Sequence, residues 1–210
     1  MPQTLPNAIA WWARMRGDQP AVVLDGDVLT YRDYHDWSGR VAAMLIADGL
    51  QPGDRVAICA TNSLAYVALI MGTIRAGGIV NPVNFRYKPR EIAELIETTE
   101  PAISFADPAH SGNMTDAGVS PRALAEIDAL RHGASVTPSH DPQPDAPVVI
   151  IATSGSTAKP KGVVFTNRSM TAYAASWAVE ETSSAPGSRI ISLAPLNTSA
   201  GFVQLMHYTT

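Results

Sequence analysis

The chain has 210 residues, 46% hydrophobic and 16% charged, with a formal net charge of −4. That suffices for one α/β domain or for part of a larger one, and the low charge fraction leaves some surface to meet more protein. Fifteen basic residues without a cluster exclude an electrostatic footprint for nucleic acid, and the single cysteine, Cys59, excludes an intrachain disulfide or a cysteine metal site and fits a reducing, cytoplasmic setting.

The first residues carry no basic run ahead of an apolar core, so they do not read as a secretory signal. Leu5, Ala8, Ile9 and Trp12 fall at helical spacing behind Thr4, a candidate cap. Residues 21–24 and 28–30 flank Asp25-Gly26-Asp27, a hairpin signal. Thr30 and Asp33 have the spacing of a capping box ahead of the apolar stripe Tyr34, Trp37, Val41 and Leu45, which Gly49 stops. Residues 51–54 form a turn, and Val56 and Ile58 begin a strand. Asn62 or Ser63 caps a helix over 64–77, and residues 79–83 form the next strand. The apolar stretch 64–80 is interrupted by Gly72, Thr73, Arg75, Gly77 and Gly78, so no membrane span is expected.

Pro89 suits a helix start, followed by Ile92, Leu95, Ile96 and Thr99 at helical spacing; residues 102–106 form a strand. Strand, helix, strand, helix, strand predicts parallel βαβ units and an α/β fold. Residues 121–130 are read as a helix and 134–137 as a strand. The proline-rich stretch 137–147 reads as a surface connection, and 148–152 as a buried strand. His35, His110, His132 and His140 have no metal-ligand spacing. Trp11 and Trp12 read as packing, and Cys59 as a small buried hydrophobe.

Directly after that last strand stands Thr153-Ser154-Gly155-Ser156-Thr157-Ala158-Lys159-Pro160-Lys161-Gly162. Hydroxyl donors, a glycine that lets backbone N–H groups approach an anion, and two lysines suit a polyphosphate. It is not the common nucleoside-triphosphatase loop, because Pro160 stands where that motif needs glycine followed by lysine. Neither a GxGxxG nor a GxSxG pattern occurs in the chain.

This segment resembles the phosphate loop of the adenylate-forming superfamily, which includes acyl-CoA synthetases, luciferases and peptide-synthetase adenylation domains. The match covers Thr153, Ser154, Gly155, Ser156, Thr157, Pro160, Lys161 and Gly162, and departs at Ala158, where glycine is usual. The resemblance extends to Gly53-Asp54-Arg55-Val56, to the stretch from Gly77-Gly78 to Asn81-Pro82, and to residues 162–167, where Asn167 replaces a histidine. Residues 194–201 resemble the segment that lines the acyl pocket, with Asn197 and Thr198 in place of an aromatic residue and a histidine.

The resemblance implies the truncated N-terminal portion, residues 1–210, of an acyl-CoA synthetase-like adenylation domain. Such an enzyme joins a fatty or aromatic carboxylic acid to ATP and passes the acyl group to coenzyme A. By that resemblance Thr153, Ser154, Gly155, Ser156, Thr157 and Lys161 hold the phosphates, Mg²⁺ bridges phosphate oxygens, and Asn197, Thr198 and Ser199 border the acid. The family's nucleoside contacts, its magnesium-associated glutamate and its catalytic lysine lie on motifs that this chain lacks. No catalytic residue is therefore assigned, and the chain alone is expected to be inactive. A truncated sheet also leaves an edge uncovered, so self-association is expected. The alternatives are an adenylation domain that loads a carrier protein, and a non-catalytic nucleotide-binding or scaffold relative.

Overall fold

Thr4, in extended backbone, accepts a hydrogen bond from the Asn7 amide at 3.3 Å and starts helix α1 (Leu5–Arg16). This computed structural model describes residues 3–153, 161–180 and 189–210. Strands β1 (Pro20–Leu24) and β2 (Asp27–Thr30) form an antiparallel hairpin. Its turn residues Asp25 and Gly26 take φ of 50° and 84°, the paired left-handed geometry that follows strand twist. Thr30 caps α2 (Tyr31–Ala47) by accepting from the Asp33 amide at 3.1 Å. The capping box there is only half made, because the Asp33 carboxylate meets the Thr30 hydroxyl at 2.7 Å. A glutamate, one methylene longer, reaches the backbone of the cap residue instead, as Glu91 does to the Lys88 amide at 2.8 Å further on.

Strand β3 (Arg55–Cys59) leads to α3 (Leu64–Arg75), which Ser63 caps through the Tyr66 amide at 3.1 Å. Every residue of α3 is buried, as a helix apolar on all sides requires. Gly77 then takes φ 82° to turn the chain into β4 (Ile79–Pro82). Helix α4 (Pro89–Thr99) connects to β5 (Ile103–Ala106). The three strands are parallel, with β3 in the middle, so the βαβ reading holds.

Two readings within residues 107–147 differ from the structure, over 121–130 and over 134–137, whereas 137–146 carries no helix or strand, as expected of a connection. A short helix, α5 (Ser111–Asp116), precedes a two-residue strand, β6 (Arg122–Ala123), and a single turn, α6 (Ala125–Asp128), where one helix over 121–130 was expected. The free edge of β5 captures residues 122 and 123 in a parallel ladder, so sheet pairing overrides the helical spacing. The strand expected over 134–137 is absent. The neighbouring carbonyls of Leu130, Arg131, Gly133 and Ala134 are taken by the Arg40 guanidinium rather than by a strand.

Strand β7 (Pro147–Thr153) pairs parallel with β4, and β8 (Lys161–Thr166) returns antiparallel beside it. Helices α7 (Asn167–Glu180) and α8 (Ser199–Thr209) complete the described elements. The six-stranded sheet runs β6-β5-β3-β4-β7-β8. Alternation along β3 sends Val56 and Ile58 into one core, with side chains of α1, α2, α3 and α8, and Ala57 and Cys59 into a second core with Ile92 and Leu95 of α4 and Met114 of α5. Among the described residues no helix is long and apolar enough to cross a membrane.

Candidate functional site

In an open parallel sheet, ligands bind in the crevice beyond the carboxyl ends of the strands. Here β7 and β8 hold the two ends of the hydroxyl- and lysine-bearing segment side by side, with Thr153 opposite Lys161 and Ala152 opposite Gly162. A Cβ at Gly162 would lie 2.5 Å from Ile150 Cγ2, so glycine is what lets the returning strand cross so closely. Ser154, Gly155, Ser156 and Thr157, together with Ala158, lie outside the described residues. Thr153 and Lys161 are placed by their backbone at the two strand ends.

Beside the end of β7 opens a cleft of about 370 Å³. Its walls are Pro82, Asn84 and Tyr87 after β4, Ile151 and Ala152 on β7, and Asn197, Thr198 and Ser199. The three residues that the sequence assigned to the acyl group thus share one wall, and β7 leads from that cleft to the predicted phosphate segment. A depression of about 410 Å³ at the α1–β1 junction holds the exposed Arg32–Asp18 pair and touches none of these residues.

Thr198 caps α8, accepting from the Gly201 amide at 3.2 Å and donating its hydroxyl to the Pro195 carbonyl at 2.7 Å. A Cβ at Gly201 would lie 2.1 Å from that Pro195 oxygen, so only glycine lets the turn fold over the helix start. Asn197 is buried and donates to the Val83 carbonyl at 3.4 Å. With Thr198 and Ser199 on the cleft wall, the amide end of α8 and its partial positive charge sit at the cleft.

The sequence offers Asn62 only as a helix cap. Ser63 takes that role, and the Asn62 amide instead grips the turn before Asn197: Oδ1 accepts from the Leu196 amide at 2.8 Å and Nδ2 donates to the Ala194 carbonyl at 3.2 Å. Asn84 and Tyr87 on the cleft wall were not singled out either, since nothing in their local pattern marks them. Asn167 lies away from the cleft. Buried at the start of α7, it accepts from the Leu5 amide at 3.1 Å and donates to the Gln143 carbonyl at 3.0 Å, which anchors α1.

A model of the AMP-binding enzyme family matches residues 9–210. The chain belongs to the AMP-binding enzyme family. It is 33% identical over 174 residues to the fatty acid–acyl-carrier-protein ligase ScoC of Streptomyces coeruleorubidus, covering 80% of this chain and 34% of that protein. It is 32% identical over 191 residues to a feruloyl-CoA synthase of an Amycolatopsis species, covering 88% and 37%. Its fold matches the N-terminal domain of FACL13 from Mycobacterium tuberculosis with a TM-score of 0.88 at 24% identity, covering 98% of this chain and 55% of that one. The chain therefore spans about a third of these curated relatives and about half of the solved chain.

Proposed function

We propose that the polypeptide carrying this chain activates a carboxylic acid with ATP, forming an acyl-adenylate and pyrophosphate, and then transfers the acyl group to the thiol of coenzyme A. The observation that supports this reading is that Thr153 and Lys161, the described ends of the predicted phosphate segment, pair across β7 and β8, and that Ile151 and Ala152 of β7 share a cleft with residues 197–199.

In the first step a carboxylate oxygen attacks the α-phosphorus and pyrophosphate leaves; in the second the thiolate displaces AMP. The acid is its own nucleophile, so the protein's task is to position it and to offset charge developing on the phosphates. Backbone amides and hydroxyls of residues 153–157 suit the β- and γ-phosphates, and Lys161 supplies a cation. Mg²⁺ bound with the nucleotide would offset further charge developing on the phosphates. The reaction suits the cytoplasm, where ATP and coenzyme A are supplied. A carrier protein is the second candidate acceptor, favoured by the 33% identity to ScoC, a ligase named for that acceptor.

Carboxylate-dependent ATP–pyrophosphate exchange by the longest open reading frame that contains this segment tests the first step. The expected result is exchange with some acid from a panel of fatty and aromatic acids, reduced at least about a hundredfold by Lys161→Ala. Coenzyme A and a phosphopantetheinylated carrier protein are then offered as acceptors. A folded polypeptide that exchanges with no acid overturns the reading in favour of a non-catalytic relative.

A further inference from the structure

Asn62 stands just beyond β3, and its carboxamide bridges 132 and 134 residues of sequence to reach Ala194 and Leu196. The two contacts are complementary: a carbonyl oxygen faces an amide N–H, and an NH₂ faces a carbonyl two residues earlier. A single side chain thereby pairs with the 194–196 backbone as a neighbouring strand would. The grip is not a by-product of helix capping, because Ser63 satisfies the start of α3. Its base is also held. Thr61, the preceding residue, donates its amide and its hydroxyl to Asp107 at 2.9 and 3.0 Å, which ties the end of β3 to the end of β5.

The gripped turn runs straight into the cleft wall. Asn197 fastens it to the end of β4 through the Val83 carbonyl, and Thr198 then opens α8. The position of Asn197, Thr198, Ser199 and the amide end of α8 is thus set by two ties to strand ends, and Asn62 makes the one with both a donor and an acceptor. The described contacts of Asn62 do not reach β7 or β8, where the phosphate segment begins and ends.

We propose that Asn62 is a positioning residue for the carboxylic acid: it fixes the 194–199 turn against the strand ends and so sets the acid side of the cleft independently of the phosphate side. This inference rests on the adenylation reading above.

The test uses wild type, Asn62→Ala and Asn62→Asp in the longest polypeptide that carries this segment, with pyrophosphate exchange titrated separately in acid and in ATP. Asn62→Ala is expected to raise KM for the acid about tenfold while KM for ATP stays within about twofold. Asn62→Asp keeps the acceptor for the Leu196 amide and is expected to recover part of the loss. Hydrogen exchange at the Leu196 amide, read on the same proteins, is expected to quicken in Asn62→Ala and to stay near wild type in Asn62→Asp. Unaltered Leu196 exchange in Asn62→Ala overturns the grip itself, whatever the activity. Equal rises in both KM values, or a lowered Tm with KM for the acid unchanged, overturn the positioning role in favour of a purely structural one. A wild type that exchanges with no acid overturns the adenylation reading, while the Leu196 measurement still decides the grip.

Discussion

Asp107 accepts four contacts at the ends of β3 and β5: the Thr61 amide and hydroxyl on one oxygen, and on the other the His110 amide at 3.0 Å with the ring Nδ1 at 2.6 Å. A carboxylate only accepts, so Nδ1 carries the proton. Burial alone would raise the Asp107 pKa, but the hydrogen bonds from Thr61 and His110 outweigh it and hold the group below its ordinary value. A depressed folded pKa means stability that is present above the unfolded value, about 3.9, and is lost as pH falls through the folded one. Asp107→Asn should therefore be less stable than wild type at neutral pH, with the gap in urea midpoint closing below about pH 4; parallel midpoints at every pH would show that Asp107 contributes nothing through its charge. What the sequence conveyed at this scale depended on whether a residue's partners were local. Cys59 was readable as a small core hydrophobe, and burial pushes its thiol up to about 12. Asn167 was readable only as a departure from a family pattern, because the Leu5 amide that it accepts from lies 162 residues away.

Helices α2 and α3 pack through Gly72, which the sequence marked only as an interruption of an apolar stretch. A Cβ there would stand 2.5 and 2.7 Å from Val41 Cγ1 and Cβ. Two effects oppose each other in Gly72→Ala: helix propensity favours alanine by up to about 1 kcal/mol, whereas forcing a methyl into a filled core costs about 1–3 kcal/mol. Val41 is fully buried, and its Cβ cannot move without α2, so overpacking wins and a net loss of about 1–2 kcal/mol is expected in urea unfolding. Val41→Ala should be less damaging in the Gly72→Ala background than alone, because the two sites share one contact; a Gly72→Ala protein more stable than wild type would refute this account. Elements set by local chemistry, such as the caps at Thr4 and Thr30 and the Asp25-Gly26 turn, were legible in advance, and the α3 cap was narrowed to Asn62 or Ser63. The β6–α6 stretch was not, because what shapes it is the open edge of β5, and no residue within 121–130 records that edge.

Across the molecule, the order of strands and helices told the parallel core, but β8 is not in the sequence reading as a strand, and alternation alone would not give its direction, since it looks alike in a parallel and an antiparallel strand. That direction decides which surface is left open. Among the described residues β8 closes one end of the sheet, bonded to β7 on one side only. Val163 and Val164 point to opposite faces and are 43% and 51% exposed, so this stretch of the strand shows apolar side chains on both faces, while Phe165 further along packs against the core. Ile191 and Leu193 add side chains 88% and 90% exposed. Natural proteins blunt such an edge with charge, bulges or a covering element, and the FACL13 chain that matches this fold has about as much chain again. The 210-residue chain on its own should therefore associate through β8 and bind apolar dyes. Sedimentation velocity should show mass rising with concentration, and Val164→Lys should shift it toward the monomer without changing far-UV dichroism, because a side chain half in water is replaced by one that repels its own copy. A concentration-independent monomer that binds no dye would mean that the exposed valines are tolerated as ordinary surface and that the edge recruits nothing.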